Sequence, residues 1–518
     1  MTNNCPFNIE PYATSEVIGK PNVFNLNYTN QDFWSMKTRL IEFTQQRFSN
    51  EFTDFVESSL AIMLIENWAF IADTLSFKLD QIANEIFIDT VSEIDNAFRL
   101  CKLVGYNPQP PVAAKSYWTA SINNPITTDV RIPTPIGFEV NGGGTSVKIE
   151  LFSADSDGNP IFDEDIIISA NSVVNASIIG LQGKTIFEEI ASNGSRNQTI
   201  QSRKQSVIYD SMQVFVDGVM WNKVDYFTES QPFREYRVEF DSNFSAYFIF
   251  GNGVAGMVPS KGSNISIYYR TGGGTIGNLV TNATQSSVLV NVPGLNYPIG
   301  VFLNNYTKAQ YGYDGDTIED IRRKLPMYLR TQDRAVTGLD YKTLADLYVS
   351  PYNGQIGKSI AVLRNHGCAA NIIDLYILSR KDKNTLEVAS DQLKTELMSY
   401  IESKKMITDY VCIKDGVVVN VDVNISITMD KLYRKFEDEL RVKISNRIDA
   451  FFSINRWEYG KTLKENDLIK EFSDLKEIKS VDITFNTDDI TLGATNIVTT
   501  KFYEIIRSDI IELGFVYE

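Results

Sequence analysis

One imidazole occurs in the whole chain, His366, within Arg364-Asn365-His366-Gly367 between two apolar segments. A serine or cysteine triad needs a histidine held by an orienting partner, and a histidine-ligated zinc needs further ligands at short spacing. Neither pattern surrounds His366, which reads as a turn residue. Cys5, Cys101, Cys368 and Cys412 are scattered without a Cys-x-x-Cys pair. That spacing offers neither a zinc knuckle nor a secreted disulfide framework, and reduced thiols are the expectation. Asp155-Ser-Asp157-Gly158-Asn159, with Asp163-Glu-Asp165 behind it, presents oxygens to a cation. The closing glutamate of a calcium loop is missing, so a solvated acidic loop is the better reading. With 65 acidic side chains, chance carboxylate pairs are abundant and no glycosidase pair stands out. No catalytic residue, metal ligand or cofactor is assigned.

Glycine-rich runs could cradle phosphates. Gly251-Asn-Gly253-Val-Ala-Gly256 matches the dinucleotide-binding spacing. That motif works only where a helix N-terminus follows and points free N–H groups at a pyrophosphate. Here Met-Val-Pro259-Ser-Lys-Gly262 follows, which is turn and loop, so Gly251, Gly253 and Gly256 are expected to shape a β hairpin turn. Gly272-Gly-Gly274 and Gly142-Gly-Gly144 lack the Lys-Ser/Thr of a phosphate loop. Arg322-Arg-Lys324, Arg330 and Arg334 are read as a charged helix face beside acidic neighbours.

The elements that carry these residues follow from pattern. The 518 residues allow about three to five domains. Hydrophobic residues are 43% and charged residues 22%, an ordinary globular balance. The net charge of -16 argues against sequence-independent DNA binding, which displaces counterions with a basic surface. The N-terminus lacks the basic and apolar regions of a signal peptide, and 60–77 is interrupted by Glu66, Asn67 and Asp73, so no membrane span is expected.

Leu60, Leu64, Trp68, Ile71, Leu75, Leu79, Ile82 and Ile86 recur at three- and four-residue steps, which keeps them on one face of a long helix. Met63, Phe70 and Phe77 are apolar on another side. A helix apolar on more than one side must be covered on more than one side, and a helix predicted at 33–48 covers only part. Gly105-Tyr-Asn-Pro108-Gln-Pro110-Pro111 stops the helical pattern. Between 112 and 304 lie 19 of the 31 glycines, separated by short β-branched and aromatic runs, which predicts an antiparallel β domain with a looped insertion near 140–205. Asp316-Thr-Ile-Glu319 and Thr337-Gly-Leu-Asp340 read as capping boxes opening helices, with strands at 359–363 and 372–379 and a helix over 384–405. From Val417 to Met429 apolar and polar residues alternate, a half-buried strand. Leu432, Phe436, Leu440, Ile444, Ile448 and Phe452 then repeat every four residues as an amphipathic helix, and a short helix at 466–475 and strands at 478–485 and 499–517 finish the chain. The expectation is a multidomain α+β chain: a helical region 1–107, a central antiparallel β domain 108–304, and two small C-terminal α+β domains, 305–415 and 416–518.

Three passages resemble the baseplate J-like wedge proteins of contractile phage tails and related injection machines. One is Val214-Phe-Val-Asp-Gly-Val-Met-Trp221 with Phe248-Ile-Phe-Gly-Asn-Gly-Val-Ala-Gly256 and Ile265-Ser-Ile-Tyr-Tyr-Arg-Thr-Gly-Gly-Gly274, ending at Gly277-Asn278. The second is Gly315-Asp-Thr-Ile-Glu-Asp-Ile-Arg-Arg-Lys-Leu-Pro326 continuing to Arg334-Ala-Val-Thr-Gly-Leu-Asp-Tyr341, and the third is the C-terminal strand–helix unit leading to Tyr459-Gly460 and Leu468-Ile469. The likeness is most specific in the middle passages. It implies a structural, non-enzymatic virion protein of the tail baseplate, assembled in the host cytoplasm. It also implies two copies per wedge, a ring of wedges around the tail tube, and helices bundled with other wedge proteins, with no nucleic acid, membrane or cofactor. On that reading Leu60, Leu64, Trp68, Ile71, Leu75, Ile82 and Ile86 are expected to contact partners, and 416–518 to close the ring. The alternatives are a tail-fibre or spike protein that binds or cleaves host polysaccharide through a groove in 112–304, and a cytosolic enzyme.

Overall fold

The computed structural model describes residues 12–13, 32–48, 59–142, 145–162, 164–228, 231–278, 285–292, 297–365, 371–381, 385–475, 477–486 and 497–517. His366, Cys5, Cys368, Gly143, Gly144 and Asp163 lie outside the described residues. The chain is a multidomain α+β protein with N-terminal helices, curled and mostly antiparallel sheets, and C-terminal α+β units.

Helix α1 (Phe33–Arg47) opens on a reciprocal cap: the Ser35 N–H donates to the Asp32 carboxylate at 2.8 Å, and the Asp32 N–H donates to the Ser35 hydroxyl at 3.1 Å. Helix α2 (Leu60–Asn84) runs 25 residues, roughly 38 Å at the α-helical rise. It ends before Ile86, which sits in the turn beyond it. Helix α3 (Ile94–Leu103) turns back toward the body and buries Ala97, Phe98 and Cys101 against Ile321 and Leu325.

The middle of the chain holds two large sheets and a two-stranded ladder of Val130–Ile132 with Ile166–Ile168. The first has strand order Gln285–Val290, Ile299–Asn305, Lys115–Ser121, Val174–Gln182, Thr145–Ala154, Ile136–Gly142, with Pro160–Ile161 added beside Thr145–Ala154. The second has the order Thr199–Gln201, Ala246–Phe250, Glu235–Phe240, Val219–Lys223, Gln213–Val216, Asn264–Thr271, Lys184–Ala191. All pairs in the second are antiparallel except Val219–Lys223 with Glu235–Phe240. The stretch 140–205, expected as a looped insertion, supplies strands to both sheets. Its polar residues mask the pattern, because Val174–Gln182 begins exposed and ends buried, so no single alternation runs through it.

Only Gly183 separates Val174–Gln182 in one sheet from Lys184–Ala191 in the other. Its φ of +111° and the Thr271 carbonyl oxygen, which would lie 2.7 Å from an added Cβ, leave room for glycine alone. Across this crossing lies Arg270. Its Nη2 donates to the carbonyls of Leu181 at 3.0 Å and Gln182 at 3.1 Å, and its Nε to Glu150 at 3.3 Å. Glu150 also accepts the N–H and hydroxyl of Thr185, at 2.8 and 2.7 Å. Burial lowers the Arg270 pKa, and the Glu150 carboxylate opposes that shift.

The C-terminal half carries α4 (Ile318–Thr331), α5 (Gly338–Leu347) and α6 (Asp391–Glu402) around a sheet of Gln355–Asn365, Asn371–Arg380 and Asp409–Asp415, with Leu386–Glu387 and Tyr12–Ala13 at its margins. The α6 helix begins at its Ser390 cap, later than the 384 expected. The first capping box is Thr317 with Asp320, one residue along from the Asp316–Glu319 reading, whereas Thr337 with Asp340 caps α5 as expected. The last unit is a three-stranded sheet, Ile478–Asn486, Val417–Met429, Glu504–Tyr517, covered by α7 (Glu437–Phe451) and α8 (Glu465–Ile469). Leu440, Ile444 and Ile448 face the core as their spacing requires, but 431–436 is a 3₁₀ turn and Phe436 is exposed. This core includes Ile360, Val362 and Leu378 from the preceding unit, and Glu458 bridges Lys342 at 3.2 Å and Lys358.

Cys412, in Asp409–Asp415, is disulfide-bonded, which corrects the expectation of reduced thiols throughout. Glu150→Ala leaves the Arg270 guanidinium buried and short of its carboxylate. It is expected to cost about 3–5 kcal/mol in denaturant unfolding, and the double replacement Glu150→Met with Arg270→Met to recover much of that loss.

Candidate assembly interface

The α1–α2 pair is held by a narrow seam. On α2 only Ile62, Ala69 and Ser76 are buried, each seven residues from the next, and on α1 only Met36. Small side chains at two of these three positions let the helices approach closely. Lys37 and Glu66 add an ion pair at 2.6 Å across the seam. The opposite sides of α2 are bare. Leu60, Leu64, Trp68, Ile71, Leu75 and Ile82 are between 46% (Ile71) and 69% (Leu60) exposed, and Ile86 is exposed beyond the helix end. Met63, Phe70, Phe77 and Leu79 are exposed as well. A soluble chain rarely leaves so large an apolar patch open, and such patches mark association surfaces.

Sequence periodicity finds this stripe but misses Trp34 and Phe43 on α1 and Leu103 at the end of α3, which are also exposed. The signal for Trp34 and Phe43 is weak because polar residues surround them in Phe33–Arg47. Among the described residues, α2 is also the one helix long and apolar enough to cross a membrane by length and composition.

The hairpin is fixed to the body at its base. The Glu85 carboxylate accepts the N–H of Ser92 at 2.9 Å and of Glu93 at 3.3 Å, and the Asn96 amide at 3.0 Å, closing the turn from α2 into α3. Burial opposes ionisation there, but the hydrogen bonds from Ser92, Asn96 and Glu93 together hold the Glu85 carboxyl below the usual range. Asp316 is the second anchor. Its buried carboxylate accepts the Tyr106 hydroxyl at 3.0 Å, the Gln109 N–H at 2.9 Å and the Tyr313 hydroxyl at 2.9 Å, and it pairs with Lys324. Burial, reinforced by the Asp316 charge, raises both phenols above their ordinary value and pushes the Cys101 thiol up to about 12.

The basic stretch is spent within the fold. Arg322 pairs with Glu319 at 2.7 Å and donates to the Val91 carbonyl, Arg323 pairs with Asp320 at 3.1 Å and reaches Asn455, and Lys324 meets Asp316. The Asp155 carboxylate likewise accepts the N–H groups of Asp157 at 3.0 Å and Asn159 at 2.7 Å, which makes it a turn former. Among the described residues, no group of three or more His, Cys, Asp or Glu side chains stands together as a metal site.

Gly251, Gly253 and Gly256 form one tight turn. The Gly253 N–H donates to the Gly256 carbonyl at 3.0 Å, and a Cβ on Gly251 would come within 2.2 Å of the Gly256 carbonyl carbon. It is not a hairpin, because Ala246–Phe250 pairs with Thr199–Gln201 and Glu235–Phe240, whereas Asn264–Thr271 lies across the sheet. No helix follows the turn, so its N–H groups face no phosphate site.

Residues 29–103, which span the hairpin and α3, match the family model described as bacteriophage baseplate protein, N-terminal domain. The chain is also 22% identical over 479 residues to baseplate wedge protein gp6 of Enterobacteria phage T4, an alignment covering 87% of this chain and 68% of that one. The chain is thus similar to baseplate wedge proteins, in its N-terminal helices by the family model and over most of its length by the weaker alignment. Among solved structures, the chain aligns with one from the anti-feeding prophage baseplate (TM-score 0.34, 10% identity, 91% of this chain and 90% of that one). Another alignment is with a chain of the type VI secretion TssK-TssF-TssG baseplate subcomplex (TM-score 0.29, 10% identity, 68% of this chain and 96% of that one).

Asp316→Ala strands Lys324 and two phenols without their acceptor. Alkylation of Cys101 at mildly alkaline pH, followed by peptide mass spectrometry, should be negligible in the native chain and clearly faster in this variant, as the junction opens and the negative charge is lost.

Proposed function

We propose that this chain is a structural wedge subunit of a contractile tail baseplate. It self-associates around the tail tube and couples baseplate rearrangement to sheath contraction, with no catalytic role. Helices of the 1–107 region join other wedge proteins in a bundle, with Leu60, Leu64, Trp68, Ile71, Leu75, Ile82 and Ile86 as contacts. The 108–304 and 305–415 regions form the body, and 416–518 closes the ring between copies.

The observation that carries this reading is the bare apolar surface of α2, since burying it requires other chains. A closed ring buries the same patch once per subunit, so cyclic assembly suits it. At the other end, Glu504–Tyr517 is an outer strand of its sheet, with Ile510 and Val516 exposed. An edge strand of that length favours contact with another chain.

A second reading, insertion of α2 into a membrane, draws on its length and apolar composition. Against it, α1 would have to enter the hydrocarbon with Lys37, Arg39, Glu42 and Arg47, and α2 itself carries Glu66, Asn67 and Asp73. The two readings part on one substitution. Trp68 is 64% exposed, so Trp68→Asp should leave the melting temperature of the isolated chain nearly unchanged. It should also weaken incorporation into wedges, followed by sedimentation with the co-expressed wedge proteins, by at least about 2 kcal/mol, the scale of a buried interface tryptophan. Unimpaired incorporation of that variant, or flotation of the native chain with liposomes, would count against the bundle.

A further inference from the structure

The second of the two central sheets has an outer face that its own core does not use. Along Asn264–Thr271, Ile265, Ile267 and Tyr269 point into that core, which leaves Ser266, Tyr268 and Arg270 on the other side. Register extends this face over four strands: Tyr268 sits opposite Phe187, and Phe215 opposite Met220. The ring centroids of Phe187 and Tyr268 are 4.7 Å apart, and Phe215 meets Tyr268 edge-on at 5.8 Å. Three rings brace one another into a fixed aromatic floor.

This floor runs into a cleft of about 830 Å³, walled by Phe152 of the first sheet, by Phe162 just beyond its added strand, and by Tyr352. That volume is in the range of small-ligand sites, and concavity separates it from the flatter surfaces that proteins use on one another. The charged residues lining it are Asp210, Lys223 and Arg270, and each is already neutralised: Lys223 pairs with Asp210 at 2.6 Å and Arg270 with Glu150 at 3.3 Å. An anionic ligand such as a phosphate finds no spare cation there. What remains uncommitted is neutral: the Gln213 and Asn222 amides and the Tyr268 and Tyr352 hydroxyls make no side-chain hydrogen bond among the described residues.

Aromatic faces with uncharged amides and phenols around them match one ligand chemistry well. A pyranose ring presents C–H groups on its face and hydroxyls on its rim; the first pack on aromatic rings, and the second exchange hydrogen bonds with amides. We propose that this cleft binds a neutral saccharide, with Tyr268 as the stacking platform and Asn222 and Gln213 as hydroxyl partners. The cleft lies mostly within 112–304, where the fibre or spike alternative expected a groove, yet it requires neither a fibre nor a trimer. It also stands apart from the wedge reading, because it uses no residue of the hairpin.

The test is calorimetric titration of the full chain with maltotetraose, cellotetraose, chitotetraose and a β-1,4-galactotetraose, with a proline-rich peptide as comparison. At least one sugar should bind with micromolar to millimolar affinity, and Tyr268→Ala and Asn222→Ala should each weaken it about tenfold. Both side chains are at the surface, and the variants should melt like the parent, so a loss of binding is not a loss of fold. Absence of heat with all four sugars overturns the proposal, as does binding that neither variant alters. Peptide binding sensitive to both variants, without sugar binding, assigns the cleft to polyproline recognition and overturns it too.

Discussion

Everything at the base of the hairpin depends on a carboxylate that has no water. Asp316 gathers a hydroxyl and an N–H from the stretch that leaves α3, a hydroxyl from the strand-side loop and an ammonium from α4. A buried carboxylate survives only when its lone pairs are filled, so these partners hold their places or the fold there opens. That constraint fixes the direction in which the helical region departs. With α3 pinned on α4, α1 and α2 pack mainly on each other among the described residues.

The seam between α1 and α2 shows what such a projection can and cannot do for itself. Ile62, Ala69 and Ser76 bury little apolar area, far less than Trp68, Phe70, Leu75 and Phe77 leave in water. The hairpin is therefore built outward: its strongest hydrophobic groups lie where no described residue covers them. This imbalance and the match of 29–103 to a baseplate N-terminal domain fall on the same residues.

Much of this was legible in the residues, and the failures have physical causes. The alternation from Val417 to Met429 named its strand to the residue, because one face is buried and the other is not. The three- and four-step stripe on α2 was legible for the same reason, although periodicity alone could not tell which face touched α1. Ala69 and Ser76, with Ile62 as the one large side chain, are the residues buried on α2. The two central sheets were read as one domain with an insertion, because the ribbon through Gly183 changes its buried face as it passes between cores. In sequence Asp316 reads as a helix cap, since a buried anchor and a capping residue look alike there; the partners supplied by Tyr106 and Gln109, some 210 and 207 positions away, distinguish them.

The single-residue crossing at Gly183 has a mechanical consequence. Its N–H donates to the Lys148 carbonyl at 2.8 Å on one side, and on the other the Thr271 carbonyl stands where a Cβ would have to go. With no slack in the connection, the halves of the mid-section are denied translation past each other; any strain delivered to one passes through covalent backbone into its neighbour. The crossing is thus a short, stiff link between the two cores and not a loose tether.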